Sequence, residues 1–118
     1  MQTITLSSLP PSVNTMFSNV PGKGRVKTKE YAAWRESSAW EVAAQKPRRF
    51  DCEVSISIKL VAQSNRRQDA DNRLKGLGDL LVLTKVIKDD SNSIVRKLTV
   101  EWVEDGPPVT IEISEYGN

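Results

Sequence analysis

The sequence has no histidine and a single cysteine, Cys52. Without histidine there can be no Ser-His-Asp triad, no imidazole general base and no His-ligated zinc hydrolase site. One cysteine excludes an internal disulfide and a thiolate zinc cluster within one chain. Aromatics are few: 3 Trp, 2 Tyr and 2 Phe. No apolar run approaches the roughly 18 residues of a membrane span. The start, MQTITLSSLPPS, has no basic stretch leading into an apolar one. No signal peptide, no membrane association and a cytoplasmic location are therefore expected. Acid–base or metal chemistry falls to carboxylates, lysine, tyrosine, backbone and water.

What is present is an ordinary globular mixture, 38% hydrophobic and 27% charged over 118 residues. That length predicts one domain, 1–118, with one modest core that buries about 65% of the unfolded surface. The net charge of +2 conceals a division. Residues 1–50 carry 8 Lys or Arg and 3 Glu, a balance of +5. Residues 51–118 carry 9 Lys or Arg and 12 Asp or Glu, a balance of −3. A basic half joined to an acidic half suits a nucleic-acid enzyme with a metal pocket. Chance variation over a solvated surface would give the same numbers.

Periodicity predicts about four strands and two helices in a small two-layer sandwich, α+β or mixed α/β. Residues 2–6 form a short strand stopped by Pro10 and Pro11. Ser12 to Lys27 reads as a polar, mobile loop. Thr28 caps a helix that runs to about Ala44, with Tyr31, Ala32, Arg35, Ala39 and Val42 on its stripe and Trp34 and Trp40 at the margins. Cys52, Val54, Ile56, Ile58 and Leu60 alternate with polar residues, the pattern of a strand with one buried face. A second helix starts around Asp69 to Asp71 and reaches about Thr84. Gly76 and Gly78 each weaken it by roughly 1 kcal/mol and permit close approach of another backbone. Leu98, Val100 and Trp102, then Val109, Ile111 and Ile113, read as a C-terminal antiparallel hairpin around Glu104 to Pro108.

The chemically informative stretch is Asp69-Ala70-Asp71-Asn72-Arg73-Leu74-Lys75. Two acids two residues apart at a helix entrance can converge, and the helix N-terminus favours their charge. Lys75 lies one turn beyond Asp71, on the same face. Like charges held close repel unless a cation intervenes, and Mg²⁺ prefers such oxygen ligands. Asp89 and Asp90 join the group if the chain turns back after the helix. Four carboxylates and a lysine would suit metal-assisted phosphodiester hydrolysis. Each piece also has an ordinary reading: a helix cap, an exposed ion pair with Asp79 or Asp71 sharing Lys75, a helix-end turn.

The chain resembles the RusA family of Holliday junction resolvases, endonucleases of bacteria and their prophages. The resemblance runs nearly the full length. It rests on Leu9-Pro10-Pro11-Ser12 with Asn14, on the Tyr31-to-Arg35 helix, on Asp69, Asp71, Asn72 and Lys75, and on Asp89-Asp90. It implies Asp69, Asp71, Asp90 and Lys75 as the catalytic set. The three acids would be metal ligands, with Asp89 a neighbouring or substitute ligand. It also implies Mg²⁺, with Mn²⁺ as a substitute, no nucleotide cofactor, a homodimer, and four-way DNA junctions nicked on two strands. Arg73 departs from the family pattern, which has an apolar residue there, and Gly76 and Gly78 replace stronger helix formers.

Candidate DNA contacts are Asn14, Lys23, Arg25, Lys27, Lys29, Arg66, Arg67 and Arg73, basic or amide groups on loops and element ends that suit phosphate. Phe17 either wedges or stacks at a junction centre, or packs on the domain or the dimer partner. Two other functions remain open: a non-catalytic nucleic-acid-binding or phage regulatory protein with the same fold, and a nuclease for another branched or flapped DNA.

Overall fold

The computed structural model describes residues 1–63 and 69–117. The elements in chain order are β1 (Gln2–Leu6), a 3-10 turn (Val13–Thr15), β2 (Phe17–Val20), β3 (Gly24–Lys27), α1 (Lys29–Gln45), β4 (Val54–Leu60), α2 (Asp71–Leu83), β5 (Val95–Trp102) and β6 (Val109–Glu115). A four-stranded sheet has the order β1-β6-β4-β5, and β2 and β3 form a separate ribbon. The α+β class with two helices agrees with the sequence pattern.

Alternation in β4 and β6 builds the core. Leu6, Val109 and Leu60 align across three strands, as do Ile4, Ile111 and Ile58. All six are buried, together with Ile56 and Ile113, which also pair. Each such side chain contributes roughly 1.5–3 kcal/mol of burial. The opposite face carries Ser55, Ser57, Thr110 and Ser114, with Lys59 and Glu112 paired at 3.2 Å. One apolar face and one polar face make a two-layer fold.

The expected C-terminal hairpin is corrected. β5 and β6 are not hydrogen-bonded neighbours, because β4 lies between them, parallel to β5 and antiparallel to β6. The helix between β4 and β5 supplies the crossover that parallel pairing requires. The linker from β5 to β6 straddles the end of β4: Val103 N–H donates to Leu60 O at 2.8 Å, and Val61 N–H donates to Pro108 O at 3.0 Å. Turn residues in sequence are the same for a tight hairpin and for a bridge over one strand.

The expected loop over 12–27 is also corrected. Phe17, Ser18, Asn19 and Val20 pair with Lys27, Val26, Arg25 and Gly24. Pro21 and Gly22 (φ 80°) make the reversal, closed by Lys23 N–H donating to Val20 O at 3.0 Å. Proline followed by a positive-φ glycine is the signature of a type II turn. Buried Met16 anchors the ribbon's root.

α1 begins as expected, with Thr28 Oγ1 accepting from Tyr31 N–H at 3.2 Å. Its buried stripe is Tyr31, Trp34, Ser38 and Val42, rotated from the expected one. Trp34 is core and its indole N–H donates to Ser8 O at 3.2 Å, whereas Trp40 is 72% exposed. A Trp inside needs a partner for its N–H, and the Ser8 carbonyl decides which Trp enters. Gln45 and Glu41 bond the exposed edge of the β1 segment at Thr5 and Ser7.

Gly76 fixes how closely α2 approaches the turn after β1. A Cβ there would lie 3.0 Å from Pro10 Cβ and 3.6 Å from the Trp34 ring. Both neighbours are rigid and buried. Gly76→Ala is therefore expected to destabilise by about 1–3 kcal/mol despite alanine's better helix propensity, read as a fall in thermal midpoint.

Candidate active site

Asp69 and Asp71 flank Ala70, which packs against the core while both acids stay exposed. An inward alanine between two outward acids is how this D-x-D sits at the start of α2. Ala70 is already helical (φ −63°, ψ −40°), with no side-chain cap. Asp71 is the acid in the first turn, where the helix dipole favours negative charge.

Lys75 pairs with Asp79, not with Asp71: its Nζ donates to Asp79 Oδ1 at 3.2 Å. The other oxygen of Asp79 accepts from the buried Tyr31 hydroxyl at 3.2 Å. Burial pushes the Tyr31 hydroxyl above its ordinary pKa, and the Asp79 charge and hydrogen bond push the same way. Asp79 thus ties Lys75 to α1 through Tyr31. The Lys75 side chain remains 55% exposed, so this pair is worth only about 0.3–0.5 kcal/mol.

The return of the later acids is visible. Lys85 (φ 64°) reverses the chain, Val86 N–H donates to Leu81 O at 3.0 Å, and Phe50 N–H donates to Val86 O at 2.8 Å. Val86 and Ile87 are buried, which pins the segment against the helix. The carboxylate of Asp90 then rests on Gly78: a Cβ at 78 would lie 3.0 Å from Asp90 Oδ2. Asp89 faces solvent. A hydrogen bond with Ser91 lowers its pKa, and the backbone N–H groups of Asp90 and Ser91 add to this.

Positions 71, 75 and 78 fall within about 60° around a helix, so Asp71, Lys75 and the seat of Asp90 share one stripe. Along the axis, however, Gly78 is two turns, about 10 Å, from Asp71. Among the described residues no three acidic or cysteine side chains close on one point that would hold a metal ion. The donors suit a hard divalent cation in type. The helix rise spaces the backbone positions along the stripe, so a shared ion would be reached by side chains turning toward one another along it.

Arg73 tethers α2 to the turn after β1: one Nη donates to Pro10 O at 2.5 Å. Both glycines of α2 are likewise occupied, one by Pro10 and one by Asp90. The departures from the family pattern thus have structural partners. Asn14 is exposed on the 3-10 turn, Lys23, Arg25 and Lys27 are exposed on the ribbon and its turn, and Lys29 is exposed at the start of α1. Arg66 and Arg67 lie outside the described residues. Sequence reading missed Tyr31 as a partner of the site and Gly78 as a seat. Spacing four from Lys75 did mark Asp79.

The endodeoxyribonuclease RusA family model matches residues 8–114, a span that contains Asp69, Asp71, Lys75 and Asp90. The crossover junction endodeoxyribonuclease RusA of Aquifex aeolicus (strain VF5) is 33% identical over 102 residues, covering 86% of this chain and 80% of that protein. On both grounds the chain belongs to the RusA family of endodeoxyribonucleases, hydrolases of phosphodiester bonds.

Proposed function

We propose that this nuclease acts as a homodimer on four-way DNA junctions, nicking two strands with Mg²⁺, or Mn²⁺ in its place. The observation that carries the reading is the return of Asp90 onto the stripe of α2 that bears Asp71 and Lys75. The similarity to a crossover junction endonuclease supports the substrate.

Asp69, Asp71 and Asp90 would hold the ion, with Asp89 beside them. When bound, such an ion polarises a phosphoryl oxygen and lowers the pKa of its water. Lys75 would leave its weak pair with Asp79 and stabilise charge on the phosphate. Until then Asp79 holds the ammonium beside Tyr31, since Asp79 is bonded to both. Exposed cations of the ribbon and of α1 would hold the arms by their phosphates.

A C2 dimer would supply two sites for two strands. The β5 edge supports this: Arg96 to Thr99 are exposed, and Leu98 is 46% exposed beside a hollow that Leu74, Gly78 and Asp90 help to line. An open edge strand is a template for pairing with a second copy. The non-catalytic alternative drew on Arg73 and the two glycines, and their structural partners remove that support.

Four-way, flapped and linear DNA of equal length, incubated side by side with Mg²⁺, test the reading. The expected result is symmetric cleavage of the junction, an intact linear duplex and a dimeric mass by light scattering. Preferential cutting of the flap would make the substrate a different branched DNA, and a monomeric mass at micromolar concentration would reject the paired-site account.

A further inference from the structure

The first 29 residues contain no Asp or Glu, and the first acid of the chain is Glu30. Lys23, Arg25, Lys27 and Lys29 all fall in that acid-free segment, and three of them lie in the ribbon or its turn. The ribbon's register places Asn19 opposite Arg25 and Phe17 opposite Lys27. Opposed residues share a face, as do residues two apart on a strand. One face of the ribbon therefore carries Phe17, Asn19, Arg25 and Lys27.

That face is organised. The Arg25 guanidinium lies over the Phe17 ring, 4.3 Å from its centroid. Phe17 meets Tyr31 edge-on, with centroids 5.8 Å apart, so the stack is rooted in α1. Stacking covers one face of the guanidinium and leaves its N–H edge and second face free for a planar or anionic group. Beside it is a hollow of about 350 Å³ lined by Val13, Asn14, Phe17, Ser18, Asn19 and Arg25.

The polar groups of this hollow are not those of a phosphate site alone. Arg25 only donates, as phosphate requires. Asn14 and Asn19 each offer a donor and an acceptor, as the edge of a nucleobase requires. The hollow is concave, so it receives a group that projects. Bases within a duplex are recessed in a major groove about 8.5 Å deep, whereas an unstacked base stands out from the backbone.

We propose that this hollow holds an unpaired nucleobase of the DNA substrate, its edge on the amides of Asn14 and Asn19 and its phosphate on Arg25. The proposal rests on the junction reading above, since a branch point is where bases leave the stack at least cost.

The probe is a four-way junction with 2-aminopurine at each branch-point position in turn, bound in EDTA so that no strand is cut. Binding of the wild-type protein is expected to change the emission strongly at one position. Asn19→Ala should remove that change and weaken junction binding about 5- to 20-fold, within the range of one base contact, while linear duplex binding stays as it was. Arg25→Lys keeps the charge but not the stacked plane. It should lose the emission change and weaken junction binding more than linear duplex binding. Circular dichroism establishes that each variant is folded. Unchanged emission at every position, or equal weakening on junction and duplex by Asn19→Ala, would overturn the proposal. A wild-type protein with no preference for junction over duplex would instead sink the junction reading, and this inference with it.

Discussion

Asp71→Asn is expected to reduce cleavage by about a thousandfold or more, while junction binding stays the same or tightens. The replacement has the same shape and leaves the helix start intact. It removes one charge from the group proposed to hold the ion, and nothing else in the described structure depends on that carboxylate. Asp71 is exposed, and the nearby Lys75 is paired with Asp79. The stability cost is that of a first-turn acid, about 0.3–1 kcal/mol. Removing a negative charge near the scissile phosphate also reduces repulsion of DNA, which is why affinity does not fall with rate. Single-turnover cleavage and gel-shift titration on the same junction separate the two quantities. Full Mg²⁺-dependent cleavage by folded Asp71→Asn protein would remove Asp71 from the site. Loss of binding in parallel with rate would make it a structural residue instead.

Local chemistry was readable in the sequence and distant approach was not. Alternation of period two defined β4 and β6 because one face is buried along their whole length. Thr28 announced α1 by capping chemistry alone. The ribbon was hidden because its strands are four residues each and mostly exposed, so they show no apolar alternation. Only Pro21-Gly22 marked it. The false hairpin arose because adjacency in sequence was taken for adjacency in the sheet, while β4 entered between β5 and β6 through a crossover. At the site, Asp69, Asp71 and Lys75 lie within one short segment and were legible. The Tyr31–Asp79 bond spans 48 residues, and the Asp90–Gly78 approach depends on a reversal at Lys85. Neither leaves a periodic trace. The bond from Arg73 to the Pro10 carbonyl spans 63 residues and likewise leaves no trace in the sequence.

Gly78→Ala is the substitution in which stability and activity are expected to move apart. Alanine favours a helix over glycine by about 1 kcal/mol. Its Cβ would lie 3.0 Å from Asp90 Oδ2 and 3.6 Å from Asp90 Cβ, so the acid must give way. Unlike Pro10 beside Gly76, the Asp90 carboxylate ends an exposed side chain and can swing aside at little cost. The thermal midpoint should hold or rise by a few degrees. Cleavage should fall by about 10- to 100-fold, the scale of displacing a working group by roughly an ångström. Gly76→Ala, two positions away on the same helix, should show the opposite pattern per folded molecule: a lower midpoint with cleavage retained. Adding Asp90→Asn to Gly78→Ala should cost little more than Asp90→Asn alone, because both act through one carboxylate. Full cleavage by Gly78→Ala, or additive losses in the double variant, would mean that the seat on α2 does not set where Asp90 works.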